Sequence, residues 1–279
     1  MTLLKFARRV AGLLCLVPVS ALCAAGPDAW LLLDPGWADR VVFYHRFEDE
    51  LTAPDINRVD ADIKIAQAER KDGITGQALA TGNTAGRRRH QLLAVRSTEL
   101  SAHRPLTVMA WWRLDAPMQL TTGFTLLGLA NRGGRHRGYL RTFLRGKGQW
   151  CNLSEPRVVH QVQQFPGMSD WNDPYGGGRA WFDPGDWHHV AITVGGRREI
   201  NIYWDGELRT SYHTTGRLFR EGDTNTALFG PHALTHPMSL DEVVIVDRVL
   251  RANEIAAYVH DVRLLRHHPL ADGVAEDAR

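Results

Sequence analysis

The sequence has little cysteine: it contains three residues, and two of them, Cys15 and Cys23, lie within the first 25 positions. If that leader is removed, Cys151 has no partner, so a disulfide within the chain is excluded. The spacings typical of zinc sites, C-x-x-C and H-E-x-x-H, do not occur either. We therefore expect an apolar core, rather than cross-links or zinc, to hold the fold together.

Long hydrophobic runs are absent after residue 25, and a membrane-spanning helix needs roughly 20 apolar residues. Before that point, residues 1–9 carry three basic side chains and no acidic one. An apolar run follows at 10–22, and small residues follow at 23–25. This order is typical of a signal peptide. We expect residues 1–25 to be cleaved, giving a secreted or periplasmic protein without a transmembrane segment; an uncleaved anchor is the alternative.

The sequence also lacks a large excess of charge of one sign. The chain has 33 Lys and Arg against 31 Asp and Glu, and three of the basic residues leave with the signal peptide. The remaining chain is therefore close to neutral. A general nucleic-acid-binding surface is not indicated, and no nucleic-acid partner is predicted.

Short runs rich in β-branched and aromatic residues are present instead, separated by Gly, Pro, Asn and Asp. This spacing favours an antiparallel sandwich over alternating strands and helices. The Asp205-Gly206 pair predicts a two-residue hairpin turn. A helix is predicted only at 252–260, and residues 50–72 are expected to form a long polar loop. The predicted strands lie at 41–47, 106–114, 123–130, 138–145, 157–165, 187–194, 199–208 and 239–247.

Six segments, in order along the chain, resemble the laminin-G-like, concanavalin A-like lectin-glucanase family. They are VVFYHRFEDE from 41, GITGQAL at 73–79, PLTVMAWWRLD at 105–115, GDWHHVAITV at 185–194, INIYWDGEL from 200 and SLDEVVIVDRVLRANEIAAYV from 239. The resemblance implies an all-β, two-sheet antiparallel jelly-roll sandwich with a short C-terminal helix. We expect a leader at 26–40, this domain at 41–262 and a mobile tail at 263–279. The family hosts lectins, enzymes and adhesion domains, so function must be inferred from sites.

One run predicts a binding face. The period of two in a strand places Tyr139, Arg141, Phe143 and Arg145 on one face. It places Leu140, Thr142 and Leu144 on the other face. Aromatic rings offer stacking planes for sugars, and guanidinium groups donate bidentate hydrogen bonds to carboxylate or sulfate. A solvated outer face is the alternative.

A basic segment surrounds this run, because no acidic residue lies between Asp115 and Glu155. Such a field would favour an anionic polysaccharide or another cell-surface glycan carrying uronate, sulfate or phosphate. Pairing of these bases with acids elsewhere is the alternative. The basic residues of the segment are Arg132, Arg135, Arg137, Arg141, Arg145 and Lys147.

An aromatic-rich stretch at 165–187 is expected to form a loop, and loops on a rigid sandwich often carry binding residues. Its rings could instead pack on one another. In the preceding strand, His160 and Gln161 are expected on opposite faces, and either His160 or Gln161 is expected beside the basic face. The predicted ligand-binding residues are Tyr139, Arg141, Phe143, Arg145, Gln161, Trp171, Tyr175 and Trp181.

Three functions stay open: a carbohydrate-binding protein, a polysaccharide lyase acting on a uronate-containing glycan, and an adhesion or assembly domain that contacts protein. The lyase is suggested by a faint similarity of RTFLR and HQVQ to motifs of jelly-roll alginate lyases. That similarity implies Arg141 and Gln161 as carboxylate-neutralising residues, with His160 and Tyr139 moving protons.

A metal site has one candidate residue. Asp241 and Glu242 correspond to the family's Asp-Glu pair, and as neighbours they are expected on opposite faces of their strand. The resemblance implies a structural calcium ion, for which Asp241 would be a ligand. No Asp- and Asn-rich calcium loop supports it independently.

Overall fold

The computed structural model describes twelve ranges of the chain, and the statements below concern these residues. The predicted signal peptide and the two loop aromatics Tyr175 and Trp181 lie outside them. The ranges are 35–65, 68–81, 92–100, 104–116, 124–131, 139–145, 157–163, 169–172, 185–195, 199–213, 225–230 and 237–267.

Sixteen strands form in these ranges, because their β-branched and aromatic runs fit a pleated, half-buried surface. The first eight are β1 Val41–His45, β2 Ile56–Asn57, β3 Asp62–Ile65, β4 Ala68–Asp72, β5 Gln77–Thr81, β6 Leu93–Ser97, β7 Leu106–Leu114 and β8 Phe124–Asn131. The remaining eight are β9 Tyr139–Arg145, β10 Arg157–Gln163, β11 Ser169–Asn172, β12 Trp187–Val194, β13 Glu199–Trp204, β14 Glu207–His213, β15 Asn225–Phe229 and β16 Met238–Val246.

The strands make two antiparallel sheets. The nine-stranded sheet runs β14-β13-β12-β7-β16-β1-β2, with β5 paired to β16 and β4 paired to β5. The seven-stranded sheet runs β11-β10-β9-β8-β15-β6-β3. The predicted two-sheet antiparallel sandwich is therefore confirmed.

The core lies between the two sheets. Trp112 and Val190 of the nine-stranded sheet share one buried cluster with Leu127, Leu129 and Phe229 of the seven-stranded sheet. Full burial of one such side chain stabilises a fold by about 1.5 to 3 kcal/mol. The cluster therefore fixes the inner face of each sheet.

A second apolar cluster covers the outer face of the nine-stranded sheet. It includes residues of two helices, α1 (Pro35–Ala38) and α2 (Ala252–His267). The Tyr258 ring of α2 packs edge-on against Trp37 of α1, with ring centroids 6.0 Å apart. Both helices of the described ranges therefore seal this face, and neither covers the outer face of the seven-stranded sheet.

Several boundaries match the sequence predictions and others correct them. The predicted strands 106–114 and 187–194 coincide with β7 and β12. Asp205 and Gly206 both have positive φ, as the predicted hairpin turn requires. The predicted loop at 50–72 is wrong, because it contains β2, β3 and β4.

The helix α2 begins at the predicted residue but runs beyond 260 to His267, so the first residues of the predicted tail are helical. The rest of that tail, 268–279, lies outside the described ranges. In the part of the chain that the structure describes, no helix is both long enough and apolar enough to cross a membrane.

Candidate functional site

Four consecutive strands, β8 to β11, carry most of the residues that the sequence singled out, and their register assigns each residue to a face. Leu129 belongs to the core between the sheets and pairs with Leu140, which pairs with Val162. Because directly opposed residues share a face of a sheet, this row lies on the inner face. The alternate positions of β9 and β10 therefore lie on the outer face.

The central outer row joins three predicted ligand-binding residues. Gly128 pairs with Arg141, Arg141 with Gln161, and Gln161 with Trp171. Trp171 thus lies on an edge strand, β11, rather than in the predicted loop. Register neighbours have Cβ atoms about 4.5 to 5.5 Å apart, so these positions form one continuous line across the sheet.

The adjacent outer rows hold the other three predicted residues of β9. Tyr139 pairs with Gln163, Phe143 with Val159, and Arg145 with Arg157. The four positions 139, 141, 143 and 145 therefore share the outer face, which agrees with the period-of-two assignment.

The residues named for a lyase are only partly brought together. Tyr139, Arg141 and Gln161 share the outer face, whereas His160 pairs with Thr142, which pairs with the core residue Leu127. His160 therefore occupies the inner face, away from the arginine that would neutralise a uronate. The register therefore keeps Tyr139 with the neutralising groups and separates His160 from them.

The outer face continues across β15, β6 and β3, and its two β15 residues, Leu228 and Thr226, are buried. Gly128 pairs with Leu228, which pairs with Ala94, and the row ends at Lys64. In the next row, Thr226 pairs with Arg96, which pairs with Asp62. Sequence analysis missed these positions. It also missed Arg157 of β10, although the period of two within the run from 157 would have placed Arg157 on the same face as Gln161.

The charge of this face is unbalanced. Among the described strand positions on it, Asp62 is the only acid, and its carboxylate lies 3.6 Å from the Lys64 ammonium group. A surface with this excess of cations attracts anionic ligands. Its basic residues are Lys64, Arg96, Arg141, Arg145 and Arg157.

The predicted metal residue Asp241 lies elsewhere, in a buried carboxyl pair on β16. A register shift after Asp241 and the positive φ of Glu242 mark a β-bulge. The bulge brings both side chains to the turn before β5, so the prediction of opposite faces is wrong. Glu242 accepts hydrogen bonds from the Tyr44 hydroxyl at 2.8 Å and the Thr75 hydroxyl at 2.5 Å.

Asp241 uses its carboxyl oxygens to hold backbone N–H groups. Its Oδ2 accepts from Ile74 at 2.8 Å and from Thr75 at 3.4 Å, and its Oδ1 accepts from Glu242 at 2.8 Å. Within the described ranges, no three His, Cys, Asp or Glu residues are grouped as metal ligands would be. The geometry assigns Asp241 the role of anchoring the turn, and the calcium ion stays a prediction.

Burial dominates the titration of this pair. It raises the pKa of Glu242 to about 7, although the hydrogen bonds from Thr75 and Tyr44 lower it. Burial, and then the charge of Glu242, also raise the pKa of Asp241. Two adjacent buried carboxyls therefore resist holding two charges.

A sequence-family model described as the concanavalin A-like lectin/glucanases superfamily (Laminin_G_3) matches residues 87–256, more than half of the chain. The chain belongs to this superfamily. Among curated proteins, none matches the chain in sequence.

Solved structures share the fold of this concanavalin A-like chain. Domain 4 of AbnA, an extracellular arabinanase from Geobacillus stearothermophilus solved with arabinotriose, has a TM-score of 0.55 at 16% identity. The match covers 79% of this chain and 98% of that one. The binding domain of Paraclostridial Mosquitocidal Protein 1 has a TM-score of 0.55 at 14% identity, over 80% of this chain and 52% of that one.

Botulinum neurotoxin type C, whose cell entry depends on interaction with two ganglioside molecules, has a TM-score of 0.56 at 13% identity. The match covers 80% of this chain and 51% of the toxin chain. The chain thus spans about half the length of the two toxin chains. At these identities the likeness shows the fold alone.

Strand β12 and the β13–β14 hairpin, which carry two of the family-like segments, have structural roles in this concanavalin A-like domain. His188 Nδ1 lies 2.8 Å from Asp205 Oδ2, and Asp205 Oδ1 accepts from the backbone N–H of His189 at 2.9 Å. Arg263 of α2 completes the cluster at 2.9 Å from Asp205. Burial lowers the pKa of His189 to about 3, so that ring is neutral. These contacts join the hairpin to α2 and leave the outer face of the seven-stranded sheet as the candidate site.

Proposed function

We propose that this protein binds an anionic polysaccharide or cell-surface glycan on the outer face of its seven-stranded sheet, after export across the cytoplasmic membrane. The observation that carries the proposal is the row Gly128, Arg141, Gln161 and Trp171, set by three consecutive strand registers. It combines a cation, an amide and an aromatic residue on the face that neither described helix covers.

The dimensions of the face suit an extended chain of sugars. Neighbouring strands lie about 4.8 Å apart, so the row from Gly128 to Trp171 spans about 14 Å. Tyr139 and Phe143 flank Arg141 on the same strand and face. Aromatic residues offer planes on which sugar rings stack, and arginine forks bind carboxylate or sulfate.

The solved relatives support glycan binding as the first hypothesis. One was solved with arabinotriose, and another depends on gangliosides for cell entry. A further relative, the binding domain of botulinum neurotoxin DC, was solved with rat synaptotagmin II, at a TM-score of 0.56 and 11% identity. Protein contact is therefore the second candidate, and a lyase at this face would move protons with Tyr139 rather than His160.

The test is binding of the exported protein to a panel of neutral, uronate-containing and sulfated polysaccharides, while absorbance of an unsaturated product is followed. We expect retention on the anionic members, weakened by added salt, without a rise in absorbance. A rise in absorbance would indicate a lyase. No retention on any polysaccharide would refute the proposal.

A further inference from the structure

Two arginines face each other at one end of the outer face. Arg145 of β9 and Arg157 of β10 are direct register partners on the outer face. Like charges in directly opposed positions destabilise a sheet. The register therefore puts two basic residues at directly opposed positions, where an anion bound by both would offset the repulsion of like charges.

The surrounding strand positions supply no compensating acid. The next outer-face pair is Phe143 with Val159, and both are uncharged. The acid nearest in sequence, Glu155, lies outside the described ranges. By contrast, Arg96 on the same face is directly opposed by Asp62. Arg96 thus has a register partner of opposite charge, whereas Arg145 and Arg157 have each other.

We propose that Arg145 and Arg157 form an anion subsite, which binds a sulfate or phosphate ester on the glycan. This inference rests on the proposed function. Two guanidinium groups offer more donors than a two-oxygen carboxylate can accept in bidentate geometry, whereas an ester of this kind has three terminal oxygens. The subsite lies two residues along β9 from Phe143 and four from Arg141, so a sugar on those residues could carry the ester into it.

Inorganic sulfate is the first probe. Sulfate stabilises most proteins by exclusion from their surface, so the measured quantity is the extra rise in unfolding temperature over matched variants. We expect a rise at millimolar sulfate, relative to chloride of equal ionic strength, that Arg157→Gln and Arg145→Gln each lose. Arg251→Gln, at an exposed position outside this face, is the matched control and should keep it. An equal rise in all four proteins would overturn the subsite.

Stability without sulfate gives a second readout. Removing one of two opposed cations should leave the unfolding temperature of Arg157→Gln equal to or above that of the wild type, whereas Arg157→Lys, which keeps the charge, should show no such gain. If Arg157→Gln fails to fold, Arg145→Gln removes the same repulsion from the other strand. A loss of stability in both glutamine variants would contradict uncompensated repulsion.

Glycan binding separates this inference from the proposed function. A sulfated polysaccharide is compared with its desulfated form, and lipopolysaccharide with its dephosphorylated form, to distinguish the two sources of ester. We expect Arg157→Gln to bind one esterified form about tenfold more weakly than the wild type and the ester-free forms equally well. If the wild type binds glycans and Arg157→Gln keeps the ester preference, the subsite is wrong and the function stands. If no glycan binds while the sulfate effect still requires Arg157, the function is wrong and the subsite stands.

Discussion

Replacing Glu242 with glutamine tests the buried carboxyl pair in the nine-stranded sheet. Glu242 is fully buried at the β-bulge and accepts hydrogen bonds from the Tyr44 and Thr75 hydroxyls. A glutamine has the same shape, and its amide can accept from one hydroxyl and donate to the other. The substitution Glu242→Gln therefore removes the titration of this side chain while keeping the packing, and it leaves Asp241 as the one titrating carboxyl of the pair.

The sign and size of the effect follow from the pKa of Glu242. Burial raises it from 4.5 to about 7, so between these values the folded state keeps a proton that the unfolded state has lost. This stabilising contribution is fully present below pH 4.5 and is lost as the pH rises through about 7. Each unit by which the pKa is raised corresponds to about 1.4 kcal/mol, so the ionised side chain lowers the free energy of unfolding by roughly 3 kcal/mol above neutral pH.

The assay is the free energy of unfolding by urea at pH values from 5 to 8. We expect the wild type to lose about 2.5 kcal/mol over this range relative to Glu242→Gln. His45, whose pKa burial lowers, titrates with the opposite sign, but it is present in both proteins and cancels. Asp241 does not cancel fully, because the Glu242 charge that raises its pKa is absent from the variant, so the difference reports the titration of the pair. Glu207→Gln, at a side chain that is 71% exposed, is the control and should follow the wild type. Parallel curves for the wild type and Glu242→Gln would refute the reasoning.

Three further outcomes are expected. A Cβ on Gly73 would clash with Asp241 Oδ2 and lie 2.6 Å from the Thr75 carbonyl oxygen, so Gly73→Ala should lower the free energy of unfolding by about 1 to 3 kcal/mol. Ile255→Ala, on the buried side of α2, should lower the free energy of unfolding by about 2 to 5 kcal/mol, whereas Leu264→Ala, on the exposed side of α2, should lower it far less. Equal losses would show that α2 does not pack as described. Intact-mass analysis of the exported protein should show that residues 1–25 are missing, and their presence would contradict cleavage.

Much of the sandwich could be predicted from local pattern. The strands β7 and β12 are continuous runs of apolar and β-branched residues, and the Asp205-Gly206 turn requires positive φ that these residues tolerate. The strand β3 was missed because its alternation of Asp62, Ile63, Lys64 and Ile65 lies within a polar stretch. Half of its positions are exposed at the edge of the sheet, where apolar content is low.

The candidate site was predictable only within one strand. The period of two placed Tyr139, Arg141, Phe143 and Arg145 together, but eleven residues separate β9 from β10, too many for a two-residue hairpin turn to set their register. A slip of one residue would exchange Gln161 with His160 beside Arg141. The pairing of Arg145 with Arg157 likewise depends on register. At Asp241 and Glu242, alternation failed because a β-bulge interrupts it.

The most direct test of the proposed function is the affinity of the exported protein for an anionic polysaccharide, compared between the wild type, Arg141→Ala and Arg251→Ala. Arg251 is exposed beside the start of α2 and serves as the matched control. A charge-assisted contact contributes about 1.5 to 3 kcal/mol, so Arg141→Ala should weaken binding about tenfold or more and reduce its salt dependence. Arg251→Ala should bind as the wild type does. Equal affinity and equal salt dependence in all three folded proteins would contradict binding at this face.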